Sequence, residues 1–373
     1  MWLFILACSS PKQQDTAIPK PKCVEDGMIG ATIEPFLDAP TTQIHADVAF
    51  DGEQIWTVFN LPNAENTFDV YLASIDCSGN ILKEPTQILN LPGLNQTTPR
   101  IAYSNDHILV ASQGDNGNSS NNLSIHLHLQ HTDGTDIQEI EWVPETDGQT
   151  TGNRWLPSVV GTDNGFWLAA AVANDTHFRT AVQRLSIEGE QLGNTHWAGP
   201  DSYAVFPSID GDDDNYVAGW QTSDDAVQWA TGTADESYND TTTYDNAAYV
   251  DVLWNNGTPL VFSHRASPMA ALLNDSPLSS LGGTFYTNAT QGETTVFAGY
   301  FDNQTGYQND VYGAFLTNES IIEADILLQS NPPAAPYRPA VTHLENDQYF
   351  ILWSQGDNPN FTLAGQFLEV TQP

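Results

Sequence analysis

The chain has 373 residues, of which 47 are acidic and 10 are basic, so its formal net charge is −37. A charge of this sign and size repels nucleic-acid phosphates and anionic lipid surfaces, which argues against both as partners. The acidic residues are spread among 40% hydrophobic residues rather than gathered in a tail, and this predicts a folded core under an acidic shell.

The first 22 residues differ in character from the rest. An apolar run over residues 2–7 ends at Cys8, and a polar, proline-containing stretch follows to residue 22. The segment Ile5–Cys8 resembles the lipobox of bacterial lipoproteins, which implies that Cys8 is acylated and becomes the mature N-terminus, although a Lys/Arg-containing segment before the apolar run is missing. We therefore expect a signal peptide over residues 1–8 and a flexible tether over 9–22. The expected location is the bacterial cell envelope, with a lipid anchor in the outer membrane, and secretion is the alternative.

Pairs of short apolar strands joined by Asn/Asp/Gly turns recur along the remaining chain. Asp47–Phe50 turns through Asp51 and Gly52 into Ile55–Phe59. Such turn residues supply the positive φ angles that tight hairpins need. The same pattern begins again at Pro99, Pro157, Pro207 and Pro339, so that successive units start 52, 58, 50 and 132 residues apart.

The interval of 132 residues contains two degraded hairpins. One pairs Val250–Trp254 with Leu260–Phe262, and the other pairs Gly283–Tyr286 with Thr295–Tyr300. Three steps of 44 residues (132/3) then fit the interval, which brings the total to seven units of about four strands. The sequence therefore predicts an all-β fold, a seven-bladed β-propeller over residues 23–373, and the alternative is a solenoid of stacked repeats.

The two ends of the chain predict how the ring closes. Residues 361–370 align with the third strand of the other units, so the last blade lacks a fourth strand. Residues 28–38 resemble the fourth strand of the first unit, and we expect them to complete the last blade. This placement brings Cys23 of the last blade close to Cys77 of the first, and it predicts a disulfide between them.

Sequence motifs for catalysis or cofactor binding are missing. The chain contains no Gly-x-Ser-x-Gly, His-Glu-x-x-His, phosphate-binding loop or Cys-x-x-Cys, and no cofactor is predicted. His126 and His128 share one face of a strand, where two imidazoles could hold a metal, but we favour a polar packing face. Asp210, Asp212 and Asp214 have the spacing of a calcium loop without its glycine and final glutamate, and we favour a solvated turn over Ca²⁺.

Three of the few basic residues flank the starts of predicted innermost strands. They are Arg100, Arg154 and Arg338, and we hypothesise that they form an anion site at the channel mouth, with Trp155 and Tyr337 as stacking walls for a sugar. The alternative is that each arginine pairs with a neighbouring acid and holds adjacent blades together.

The predicted loops point to one face of the ring. The second-to-third loops and the connections between blades are long and share that face, and long loops on a rigid scaffold usually bind. We therefore predict a lipoprotein that binds an envelope protein, an anionic glycan or a small ligand, with no catalytic role. The alternatives are an extracellular polysaccharide-acting enzyme, a lyase or glycosidase with carboxylates at the channel mouth, and a scaffold subunit of an envelope complex.

Overall fold

The computed structural model describes most of the chain from residue 23 onwards. The described residues are 23, 28–40, 45–65, 67–89, 95–115, 123–144, 153–173, 178–198, 203–222, 225–236, 238, 240–266, 269–302, 310–317, 320–330, 339–357 and 360–370. Across these ranges, no helix has the length and hydrophobicity that crossing a bilayer requires.

The strands form seven four-stranded antiparallel sheets, which are the blades of a propeller. Blade one contains β2 (Ala46–Phe50), β3 (Ile55–Pro62), β4 (Phe68–Ile75) and β5 (Ile81–Leu89). Blade two contains β6 (Asn95–Ser104), β7 (His107–Asp115), β8 (Leu123–His131) and β9 (Asp136–Trp142). Blade three contains β10 (Arg154–Thr162), β11 (Gly165–Ala173), β12 (Phe178–Ser186) and β13 (Gln191–Ala198).

The remaining blades follow the same order from the inside outwards. Blade four contains β14 (Val205–Gly211), β15 (Asn215–Gln221), β16 (Ala226–Thr233) and β17 (Thr242–Asp245). Blade five contains β18 (Ala247–Asn255), β19 (Thr258–Ala266), β20 (Met269–Leu273) and β21 (Ser276–Pro277). Blade six contains β22 (Thr284–Gln291), β23 (Val296–Asp302), β24 (Asp310–Leu316) and β25 (Ile321–Gln329). Blade seven contains β26 (Ala340–His343), β27 (Gln348–Asp357), β28 (Asn360–Glu369) and β1 (Thr32–Pro40). The predicted seven-bladed β-propeller is confirmed.

The hydrophobic cores lie between successive blades. Between blades one and two, for example, Trp56 and Val58 pack with Ile101 and Val110, and all four are buried. β-branched and aromatic side chains fit the pleated surface of a strand, and burying one such side chain contributes roughly 1.5–3 kcal/mol. The blades therefore stabilise one another through their faces, and each blade depends on its two neighbours.

The ring closes as the sequence predicts. β1 pairs with β28 in antiparallel register, with Thr32 opposite Gln366 and Ile33 opposite Gly365. Cys23 and Cys77 form a disulfide, with their Cα atoms 5.3 Å apart. The predicted staple between the N-terminal segment and blade one is confirmed.

The two faces of the ring differ in the connections they carry. Because all innermost strands run in the same direction, the short first-to-second turns lie on one face, which we call the turn face. The second-to-third connections and the links between blades lie on the other, which we call the loop face. Each innermost strand starts at the loop face, so the residues at these starts surround one end of the central channel.

Candidate functional site

Five consecutive blades carry a β-bulge near the start of the innermost strand. The register of pairing shifts at the same position in β6, β10, β14, β18 and β22. One residue in each bulge has a positive φ: Thr98 (50°), Leu156 (54°), Phe206 (52°), Tyr249 (49°) and Tyr286 (54°). Side chains of this bulk are rare at such angles, and each instance costs on the order of 1–3 kcal/mol. Bulges near functional sites re-aim side chains, so this repeated, strained feature marks the loop-face end of the channel as the candidate site.

The five bulge residues line one pocket. It has a volume of about 240 Å³ and is completed by residues that include His45 and Arg100, and we call it the mouth pocket. Beneath it, the innermost strands enclose a channel space of about 360 Å³. Arg100 lines both spaces and therefore lies at the floor of the mouth pocket.

Aromatic rings cover one side of the mouth pocket. The ring of Tyr249 lies 5.0 Å from that of Phe206 and 4.7 Å from that of Tyr286, and its contact with Tyr286 is edge to face. His264 of β19 stacks on Tyr249 at 4.9 Å with an interplanar angle of 22°. We call Phe206, Tyr249 and Tyr286 the aromatic wall. Phe206 remains 37% exposed, so the wall presents apolar surface to solvent at a pocket.

A ring of polar side chains lies one level deeper, two residues after the bulge residue in blades three to six and at the aligned Asp47 in blade one, where the pairing has no register shift. Each of these side chains accepts a hydrogen bond from a backbone N–H of the next blade's innermost strand. The pairs are Asp47 with Ile101 (3.1 Å), Ser158 with Ile209 (3.3 Å), Ser208 with Val252 (3.2 Å), Asp251 with Ala289 (2.8 Å) and Asn288 with Val341 (3.0 Å). We call this set the polar ring. Arg100 and Ala340 occupy the two equivalent positions in blades two and seven and carry no acceptor atom.

Two of the polar-ring residues are carboxylates on different sides of the channel. Asp47 belongs to blade one and Asp251 to blade five, which are separated by two blades in one direction and three in the other. Asp251 is 5% exposed and also accepts hydrogen bonds from Ser208 Oγ at 2.8 Å and Asn288 Nδ2 at 3.1 Å. Its carboxylate is therefore held in one orientation by three donors.

A third carboxyl group lies deeper in the channel. Asp210 accepts hydrogen bonds from the backbone N–H groups of Trp254 at 2.7 Å and Gly211 at 2.9 Å. Burial raises the pKa of Asp210 to about 7. The two backbone N–H donors lower this pKa, and the nearby charge of Asp251 raises it. Asp210 therefore carries a proton over much of the mildly acidic range.

The basic side of the mouth pocket consists of Arg100 and His45. Burial, together with the positive charge of Arg100, lowers the pKa of His45 to about 4. His45 is therefore neutral near pH 7, and Arg100 carries the positive charge of this pair.

The predicted arginines do not behave alike. Arg100 lies at the mouth, whereas Arg154 forms an ion pair with Glu141 of β9 at 2.6 Å and donates to the backbone carbonyl of Trp142. Trp155 packs edge to face on Phe178 at 4.9 Å. Arg338, Tyr337 and the predicted lipidation site Cys8 lie outside the described residues.

The predicted metal candidates have other partners in the structure. His126 Nε2 bonds Ser124 Oγ at 2.6 Å, and His128 Nε2 lies 3.4 Å from Gln130 Oε1. Asp212 accepts a hydrogen bond from the backbone N–H of Asp214 at 2.9 Å, as in a hairpin turn. Asp210 accepts hydrogen bonds from the backbone N–H groups of Trp254 and Gly211. Within the described part of the chain, no three potential metal ligands converge.

The aromatic wall and the polar ring were missed from the sequence. A signal for both was present, because the wall residues directly precede Pro207, Val250 and Thr287 in the aligned innermost strands. The polar-ring position of these strands carries a polar residue in every blade except blade seven, which has Ala340. The direction of the wall side chains depends on the bulges, which hairpin patterns do not reveal.

No protein-family model and no curated protein matches the chain. The solved structures similar to it include enzymes. The α-L-arabinofuranosidase Arb93A from Fusarium graminearum has 12% identity and a TM-score of 0.56, over 93% of this chain and 99% of that one. A Trypanosoma rangeli sialidase mutant with trans-sialidase activity has 8% identity and a TM-score of 0.54, over 93% of this chain and 60% of that one. At these identities the likeness establishes the propeller fold.

These comparisons contradict the prediction of a propeller without a catalytic role. Structures that share the fold over most of this chain include an arabinofuranosidase and a sialidase, both of which act on glycosides. The prediction leaned against an enzyme because no catalytic motif is present, and that reasoning was wrong. A propeller assembles a site from residues of different blades, so a catalytic set leaves no contiguous motif.

Proposed function

We propose that the protein is a glycosidase that acts on a polysaccharide or oligosaccharide at the mouth pocket. The observation that carries the proposal is the set of five bulge residues held at strained φ angles around one pocket, directly above channel carboxylates. Strain of this kind persists where the surrounding structure maintains it, and it clusters at ligand and active sites. The glycosidase propellers with the same fold support this choice of chemistry.

The carboxyl groups of Asp47 and Asp251 are the proposed catalytic pair. Glycosidases use two carboxyl groups, one of which protonates the leaving oxygen while the other acts as nucleophile or activates water. Asp251, fixed by three hydrogen bonds, suits the role of the oriented carboxylate. Asp47 lies across the channel, where it accepts from the backbone N–H of Ile101. We assign it the remaining role of proton donor, as the second carboxyl group of the pair. Arg100, between the two spaces, is placed to donate to substrate hydroxyl groups.

The test is sugar release from a panel of polysaccharides and aryl glycosides by the full chain and its variants. The Asp47→Asn and Asp251→Asn variants should each lower the rate by about 100-fold or more, the range expected for loss of an acid or base group. The Asn side chain retains an acceptor, so the polar ring should persist. Ser158→Ala is the matched control, because it removes one polar-ring bond without removing a carboxylate, and it should keep its activity. A wild-type protein that releases no sugar from any substrate, or an Asp251→Asn variant with wild-type rates, contradicts the proposal.

The cellular location is a separate proposal. The lipobox-like Ile5–Cys8 segment supports acylation of Cys8 and anchoring at the outer membrane, with residues 9–22 as tether. Incorporation of labelled palmitate into the wild type, but not into Cys8→Ser, is the expected result. Incorporation into neither contradicts the anchor. An anionic glycan as ligand, and an envelope protein as partner, remain predictions.

A further inference from the structure

The aromatic wall has an arrangement that packing alone does not require. Phe206, Tyr249 and Tyr286 occupy the same bulge position in blades four, five and six, so three adjacent blades turn an aromatic side chain towards one pocket. At the other positions of this series, blades two and three carry Thr98 and Leu156. Each aromatic residue is held at a φ that its side chain disfavours, whereas an ordinary core position could be filled without strain.

The support behind the wall fixes its central ring. His264 is 8% exposed and stacks on Tyr249, while Tyr286 contacts the same ring edge to face. Burial lowers the pKa of His264 to about 4, so the imidazole is neutral near pH 7 and packs as an uncharged ring. Tyr249 is therefore held from two sides, which reduces the entropy that a ligand stacking on it must overcome.

The size of the pocket limits what can lie on the wall. A volume of about 240 Å³ is below the roughly 300–1,000 Å³ of pockets that hold drug-sized ligands. A single sugar ring is the largest glycan unit that such a space encloses. A ring with one apolar face and polar edges matches a pocket that has aromatic side chains on one side and Arg100 and His45 among its other residues.

The local charges bear on the type of sugar. Of the described residues that line the channel and the mouth pocket, three are carboxylic acids, Asp47, Asp210 and Asp251, and one is an arginine, Arg100. His45 adds no positive charge near pH 7. This excess of acidic over basic groups disfavours the binding of an anionic sugar, and the net charge of −37 slows the approach of an anion.

From these four observations we propose that the aromatic wall is a stacking platform for one uncharged sugar ring at the end of a glycan chain. This proposal rests on the proposed glycosidase function and names its substrate class: neutral glycans engaged through a terminal ring. It differs from the three-arginine anion site, which stays a prediction: Arg154 is paired with Glu141, and Arg338 lies outside the described residues.

The test is titration calorimetry with methyl galactoside, its uronic-acid counterpart methyl galacturonoside, and methyl arabinofuranoside. The full-length Asp251→Asn chain is used so that turnover during the titration is slow. At least one neutral glycoside should bind, and methyl galactoside should bind more tightly than methyl galacturonoside. Adding Tyr249→Asn should weaken binding of the neutral ligand by about 10-fold or more, because it removes the aromatic surface against which the sugar ring is buried. Asn tolerates positive φ, so this change removes the ring without adding strain.

Two further variants separate stacking from pocket shape and from folding. Tyr249→Phe keeps the ring and should bind within about threefold of the parent, as expected for a stacking role without a hydroxyl contribution. Leu156→Asn is the comparison variant, since it changes a bulge residue at the same φ in the same pocket without removing an aromatic ring, and it should weaken binding clearly less than Tyr249→Asn does.

The proposal is overturned if no glycoside binds, if methyl galacturonoside binds more tightly than methyl galactoside, or if Tyr249→Asn and Leu156→Asn weaken binding equally. Catalysis is measured separately on the parent chain. In one outcome, Tyr249→Asn abolishes binding and the chain that carries Asp251 cleaves no substrate. This result contradicts the proposed glycosidase function and supports the stacking platform. In the opposite outcome, cleavage depends on Asp251 but Tyr249→Asn leaves binding unchanged. This result contradicts the stacking platform and supports the proposed glycosidase function.

Discussion

We expect the Cys23–Cys77 disulfide to make a large contribution to the stability of the junction between blades seven and one. Cys23 and Cys77 pack against the apolar cluster that joins these blades, which includes Val48, Phe350 and Phe367. The residue of blade seven at the polar-ring position is Ala340, which has no acceptor for the next blade. Replacing both cysteines by serine therefore removes the covalent link at a junction that lacks its polar-ring bond.

The expected size of the effect follows from the loop that the disulfide closes. The two cysteines are 54 residues apart, and in the chain-entropy model a loop of this length corresponds to about 4 kcal/mol. Unfolding a propeller of residues 23–373 changes the entropy by about 0.7 kcal/mol/K, taking ~2.1 cal/mol/K for each residue. The Cys23→Ser/Cys77→Ser variant should therefore melt roughly 6 °C below the wild type.

The assay is calorimetric melting of the full chain, with and without a thiol reductant. Cys8→Ser serves as the control, because it removes a cysteine and leaves the Cys23–Cys77 bond in place. The reduced wild type should have the same melting temperature as the double variant, and Cys8→Ser should have the same melting temperature as the oxidised wild type. A shift below about 1 °C in the double variant would refute the reasoning, since it would mean that apolar packing alone closes the ring.

The remaining predictions concern the channel and the closing strand. Burial raises the pKa of Asp210 from 3.8 to about 7, so the folded state binds this proton more tightly than the unfolded state, and the contribution of Asp210 to stability falls as pH rises from about 4 to 7. In urea unfolding, the stability of Asp210→Asn relative to the wild type should therefore be higher at pH 8 than at pH 4, and a difference that does not change with pH contradicts the shift. Asn288→Ala leaves the N–H of Val341 without its acceptor and should cost about 1–3 kcal/mol in the same assay, whereas no loss would show that the polar ring contributes nothing. Deleting residues 24–40 removes β1 and exposes the edge of β28, so cooperative melting should disappear, and an unchanged melting curve would argue against closure by this strand.

Much of the fold could be predicted because its signals are local. Turns such as Asp51-Gly52 fix hairpins within about ten residues, and their spacing counts the blades. Closure by residues 28–38 and the Cys23–Cys77 pair followed from the geometry of a ring, which makes the first and last blades neighbours.

The candidate site was harder to predict because it depends on register. Arg100 follows the bulge of β6 and lines the channel, whereas Arg154 precedes the bulge of β10 and binds Glu141 on the neighbouring blade. A one-residue shift turns a side chain to the opposite face of a strand. The sequence pattern placed both arginines at strand starts without showing which side each faces, and for the same reason it did not reveal Tyr249.

A crystal structure of the Asp251→Asn variant soaked with a neutral oligosaccharide that the wild type cleaves would test the central claim most directly. The account predicts a terminal sugar ring against Tyr249 and a glycosidic oxygen between the side chains at positions 47 and 251, at the floor of the mouth pocket. A glycan bound on the turn face, or at the mouth with its glycosidic bond out of reach of both side chains, would contradict it.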